Sequence, residues 1–142
     1  MQLTQHTDFG LRLLIILARK GGGPLALPGF AAEQGLSYNH IAKVAHALGR
    51  AGFIVSLRGR SGGVALARPA ETITLGEVVR AMEPGLRLVD CAHCALGADC
   101  FTSSVLAEAL GAFFAVLDRT SLATAAQSHA PAFAPWMLES AS

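Results

Sequence analysis

The chain of 142 residues has no run of about 18 consecutive apolar residues, and its start, MQLTQHTDFG, lacks a basic-then-apolar layout. Neither a membrane span nor a secretory signal is therefore expected, and a cytoplasmic setting follows. No internal repeat exists, which excludes a repeat architecture, and no low-complexity tract beyond an Ala-rich end. Cysteine is scarce: there are three, Cys91, Cys94 and Cys100, an odd number for disulfides and one short of a closed four-thiolate site. Where thiols stay reduced, clustered cysteines point to metal or redox chemistry rather than structural bridges. Acidic residues are scarce in one half only. Residues 1–69 hold eight Lys or Arg against Asp8 and Glu33, a net +6, whereas residues 70–142 hold three against eight acidic groups, a net −5. That division suits a nucleic-acid reader joined to a sensing or assembly part, with merely segregated solvated faces as the plainer alternative.

With 52% hydrophobic residues the chain can form one domain with a core, or a small domain with a dimerising appendage. Phe9, Leu13, Ile16 and Leu17 recur at helical spacing and predict a helix over 9–18, stopped by Gly21-Gly22-Gly23-Pro24. LPGFAAEQGLS reads as a short helix with Pro28 in its first turn and Gly35 at its end, although it has no polar cap. Ser37 caps a stronger helix whose Ile41, Val44, Ala45 and Leu48 share one face before Gly52. FIVSL (53–57) and VALA (64–67) then alternate as strands and are joined by RGRSGG. A helix-turn-helix followed by a basic hairpin is the order of a winged helix, so the fold class is mostly α with a small β-hairpin. Thr74 and Glu77 form a capping box for a further helix ended by Pro84-Gly85. Leu106, Leu110, Phe113 and Leu117 make an apolar stripe too long for so small a domain to cover, which reads as a dimerisation helix. The expected organisation is a DNA-binding domain over 1–83, a cysteine loop over 84–100, a dimerisation helix over 101–128 and an irregular tail over 129–142.

The turn opening the third helix presents Ser37, Tyr38, Asn39 and His40, with Lys43 one turn later. Asn can pair bidentately with adenine, Tyr and Ser reach phosphates, and Lys meets phosphate or guanine. Capping by Ser37 and packing by Tyr38 or His40 are the competing roles. At the hairpin tip Arg58 and Arg60 stand beside Gly59, Gly62 and Gly63, whose missing Cβ atoms would let the backbone approach a sugar-phosphate surface.

The segment CAHCALGADC spaces its thiols Cys-x2-Cys-x5-Cys. Spacing alone leaves three roles open: an iron–sulphur cluster, a structural zinc site completed by an Asp or His, and a redox dithiol of Cys91 and Cys94. The dithiol normally opens a helix in a βαβ setting that is not seen here. His93, between the first two thiols, is a further possible ligand or a solvent-facing loop residue.

LTQHTDFGLRLL, SYNHIAKVAHALGRAGFI, RGRSGGVALARPAETITLGEVVRAME, the clustered cysteines and FFAVLDRTSLA occur in one order over nearly the whole chain. Together they resemble the Rrf2 family of winged-helix iron–sulphur regulators, and within it the nitric-oxide-sensing repressors. The resemblance implies a non-enzymatic homodimer that binds a palindromic double-stranded DNA operator through helix and wing. It further implies a 4Fe-4S or 2Fe-2S cluster on Cys91, Cys94 and Cys100, with an oxygen ligand, Asp8, from the partner subunit, and nitric oxide as the signal. Sister regulators of cluster assembly carry a His soon after the last Cys, where this chain reads Phe101-Thr102-Ser103-Ser104. The gap between the first two cysteines is shorter than the family pattern.

Overall fold

A computed structural model describes residues 2–96 and 100–127. The tail expected over 129–142 lies outside them. The elements run α1 (Gln5–Arg19), α2 (Leu27–Glu33), α3 (Tyr38–Arg50), β1 (Ile54–Leu57), β2 (Gly63–Leu66), a 3-10 turn (Ala70–Thr72), α4 (Leu75–Met82), α5 (Phe101–Asp118) and α6 (Leu122–Ala126). The fold is a winged helix with one long helix appended, the class expected from the sequence.

α1 begins four residues before Phe9, because Thr4 caps it by accepting from the Thr7 amide at 3.3 Å. It buries Phe9, Leu13, Leu14 and Leu17, while Ile16 sits half-buried at the edge of that face. Ser37 caps α3 by accepting from the His40 amide at 3.2 Å, and Ile41, Val44, Ala45 and Leu48 turn into the same core. Gly35 (φ 65°) and Gly52 (φ 82°) end α2 and α3 in the left-handed conformation that glycine adopts without a Cβ penalty. The full capping box of Thr74 and Glu77 starts α4, and Val78, Val79 and Met82 complete the core from the other side of α1.

β1 and β2 pair antiparallel from Ile54↔Leu66 to Leu57↔Gly63. Leu25, in the connection between α1 and α2, exchanges two 2.9 Å backbone hydrogen bonds with Val64 and so stitches the hairpin to the helices. This explains Gly62 and Gly63 differently from the expected approach to a sugar-phosphate surface. A Cβ at Gly63 (φ 149°) would run into the Leu25 carbonyl, and one at Gly62 into the carbonyls of Leu57 and Gly59. The close approach these glycines permit is to the chain's own backbone. Gly63→Ala should lower stability by about 2–4 kcal/mol, read as a shift in the denaturant midpoint, because it combines backbone strain with a backbone collision.

The single helix expected over 101–128 is two. Residues 119–121 break it: Ser121 caps α6 by accepting from the Thr124 amide at 3.1 Å. The chain returns to the winged domain there, with the Leu75 amide donating to the Thr120 carbonyl at 3.0 Å and the Leu122 amide to the Ile73 carbonyl at 2.7 Å. Leu122 is fully buried among core residues, and α6 packs on α1. The DNA-binding unit thus does not end at residue 83, and the appendage is α5 alone.

α5 buries none of its 18 residues. Leu106, Leu110, Phe113 and Leu117 are half-exposed along one stripe. By length and composition alone, with a mean hydropathy of 1.4, α5 meets the measure of a helix able to cross a membrane. It is fastened to α4: Arg80 makes two hydrogen bonds to the Asp118 carboxylate, 2.5 and 2.8 Å, and lies 4.2 Å over the Phe114 ring. Gly76 leaves the space that the carboxylate occupies. The hydrogen bonds from Arg80 hold the Asp118 carboxyl below its ordinary range and raise Arg80 in turn.

Candidate DNA-binding surface and cysteine loop

The buried positions of α3 leave one face to solvent, and on it Asn39, Lys43, His46 and Arg50 follow at i, i+4, i+7 and i+11, all exposed. Asn39 and Lys43 were expected there. His46 and Arg50 were not, although continuing the same helical spacing past Lys43 reaches them. Tyr38, 52% exposed, stands beside the hairpin, where a cleft of about 320 Å³ is also lined by Ser56, Leu57, Gly62 and Gly63. A second cleft of about 430 Å³ runs between α3 and the strands, past His46, Arg50, Ser56 and Val64. Arg58 and Arg60 are exposed at the hairpin tip. Among the described residues none of Lys43, Arg50, Arg58 and Arg60 is spent on an ion pair.

Two residues of the expected surface do other work. The Ser37 hydroxyl oxygen is occupied by its cap. His40 is half-buried, its ring edge-on to Phe9 with centroids 5.1 Å apart, so it packs α3 onto α1 rather than facing outward with Asn39.

Cys91 and Cys94 are exposed, Cys100 is half-exposed, and all three are free thiols. A tight turn brings the first two together, the Cys94 amide donating to the Cys91 carbonyl at 3.3 Å. Asp90 shapes this turn: its carboxylate accepts from the Ala92 amide at 3.1 Å and lies 3.3 Å from His93 Nδ1. Cys100 occupies the cap position of α5, but its side chain caps nothing. Asp8, in the first turn of α1, is held by Arg12, with Nη2 at 2.7 Å and Nε at 3.2 Å. Within one chain it does not join the thiols: among the described residues no three of His, Cys, Asp and Glu are gathered to hold a metal.

Sequence reasoning also missed Glu83. This residue, the last before Pro84 and the loop, is buried, and its carboxylate accepts from the Thr7 hydroxyl at 2.5 Å and from the Thr4 amide and hydroxyl, each at 3.1 Å. The Thr7 hydrogen bond is the main cause that lowers its pKa, with Thr4 and the nearby His6 adding to it against the opposing effect of burial.

A family model described as Rrf2, iron-dependent transcriptional regulator, matches residues 3–128. The chain is 40% identical over 128 residues to the HTH-type transcriptional regulator NsrR of Bacillus licheniformis, covering 86% of this chain and 90% of that one. It is 42% identical over 125 residues to NsrR of Shouchella clausii, covering 84% of each. Among solved structures, the global cysteine regulator CymR of B. subtilis superposes with a TM-score of 0.79 at 27% identity, over 92% of this chain and 99% of that one. T. potens IscR superposes with a TM-score of 0.73 at 27% identity, over 97% and 96%. Family, relatives and neighbours agree with a winged helix whose exposed basic stripe and wing suit DNA, and the chain belongs to the Rrf2 family of transcriptional regulators.

Proposed function

We propose that the protein is a cytoplasmic, homodimeric repressor, with no enzymatic step, whose operator affinity is set by an iron–sulphur cluster that reacts with nitric oxide. The observation that carries this reading is the placement of three uncommitted thiols on the loop between the DNA-binding unit and α5. The resemblance of the sequence to the family's nitric-oxide-sensing repressors supports the gas as input.

The donor set fits such a cluster in kind. Thiolates are its preferred ligands, and Cys91, Cys94 and Cys100 are free and solvent-accessible. One hard oxygen ligand, Asp8 from the partner subunit, completes four. When bound, the cluster supplies an iron centre open to a diatomic gas at its weakest ligand. The chain's own residues do the rest. Arg12 holds both Asp8 oxygens, and because each carboxylate oxygen keeps a second lone pair, it can orient Asp8 as a ligand rather than compete with that role. α5 pairs with its copy through Leu106, Leu110, Phe113 and Leu117, removing that stripe from water.

On DNA, the stripe Asn39, Lys43, His46 and Arg50 enters the major groove and the tip arginines reach the minor groove or its phosphates. Two copies related by a twofold read two half-sites, which matches a palindromic operator. To move a site from 99:1 bound to 1:99, the two states must differ by about 5.5 kcal/mol. Arg60→Ala and Arg50→Ala should each weaken operator binding while leaving any bound cluster intact. Taking one cation away from a phosphate lowers the slope of log affinity against log salt by about 1, measured by fluorescence anisotropy across a salt series.

The iron-dependence in the family's description favours a second reading, a sensor of iron supply. Binding that survives equimolar nitric oxide but vanishes on iron chelation would select it. A zinc-stabilised DNA-binding protein would need the same thiolates and would ignore the gas. Operator binding by anaerobically purified protein, with and without nitric oxide, separates all three.

A further inference from the structure

Glu83 is the one buried charged side chain among the described residues. A cap for α1 does not require it, since the Thr4 hydroxyl already accepts from the Thr7 amide. Burying a carboxylate costs desolvation free energy, and a well-packed apolar residue often replaces such a group without loss. Stability alone therefore gives little reason for it. Its position gives a better one. On one side Glu83 is followed directly by Pro84 and the cysteine loop. On the other its oxygens hold Thr4 and Thr7, with Asp8 and Phe9 next along α1. Phe9 in turn meets His40 on α3, the helix that carries the basic stripe. Side-chain contacts joined by the backbone of α1 between Thr7 and Phe9 thus lead from the root of the loop to the DNA-reading helix.

We propose that Glu83 is a positioning residue that couples the cysteine loop to α1 and, through Phe9 and His40, to the orientation of α3. Within one chain Glu83 is not gathered with the thiols, since no three of His, Cys, Asp and Glu come together among the described residues. The coupling rests on the proposed function for its input, whereas the mechanical link from loop root to α1 stands on the geometry by itself.

Glu83→Gln keeps volume and one acceptor oxygen but turns an amide N–H toward donors. Thr7→Val removes the hydroxyl donor while keeping shape, and serves equally if the glutamine variant does not fold. In metal-free protein, hydrogen exchange should quicken about tenfold in two places at once, residues 4–9 and the loop root 84–90. In cluster-loaded protein, the ratio of operator affinities before and after nitric oxide should fall from about 10⁴-fold in wild type to under about 100-fold. Exchange that quickens only at residues 4–7, or an affinity ratio kept while both states weaken alike, would mean a local cap and overturn the proposal. A wild type that ignores nitric oxide would defeat the proposed function instead, leaving the two-site exchange as the deciding result.

Discussion

Cys94→Ala should give a folded dimer that no longer changes its operator affinity with nitric oxide. The fold is expected to survive because Cys94 is exposed, and its structural tie is a backbone hydrogen bond to Cys91 that alanine keeps. Substitution at such a site changes stability by no more than about 0.5 kcal/mol. The ligand set, by contrast, falls from three thiolates to two, and two thiolates with one carboxylate do not close an iron–sulphur site. Affinity should settle near that of gas-treated wild type, on the order of 10⁴-fold below the loaded protein. Visible absorption and anisotropy on one anaerobic sample check both halves. Arg60→Ala is the reciprocal control, with absorption kept and affinity lowered. A Cys94→Ala protein that still loses DNA on exposure to the gas would mean that the input enters elsewhere.

Leu110→Glu should convert the dimer to a monomer and weaken operator binding by about 10² to 10⁴, because each winged helix would then bind its half-site without the effective concentration supplied by the other. Leu110 lies midway along the stripe of α5, a helix with no buried residue in the single chain. The monomer should stay folded, since the core is built from α1, α2, α3, α4, the hairpin, Leu25 and Leu122 without any residue of α5. Sedimentation velocity reads the assembly and far-ultraviolet circular dichroism the fold. A dimer that persists would place the interface on another face.

Much of the fold can be read directly from residues, because the signals are local. Ser37, the Thr74–Glu77 box, Gly35 and Gly52 mark helix ends through chemistry that acts within one turn, and Ile41, Val44, Ala45 and Leu48 announce a face by spacing alone. What escaped depends on residues far apart. The break at Arg119-Thr120-Ser121 has a local signal in the Ser121 cap, but the return of the chain there is decided by Ile73 and Leu75, which capture it. Gly62 and Gly63 look like a flexible tip until Leu25 is placed against them. His40 looks outward until Phe9 arrives beside it. Glu83 looks like a solvated helix end, although Thr4 and Thr7 lie 79 and 76 residues away in the chain. The cysteine site is legible as a donor set, whereas the proposed completion of that set by Asp8 of a second copy has no image in one chain.

Whether a thiolate-bound iron–sulphur cluster governs DNA binding is decided by one titration. Anaerobically purified protein bound to its operator is titrated with nitric oxide while cluster absorption and anisotropy are followed in the same cuvette. If the cluster is the switch, the protein is brown and its DNA is released as its absorption bleaches, both curves sharing one midpoint. A colourless protein with stoichiometric zinc that holds its operator throughout the titration would mean that it is not.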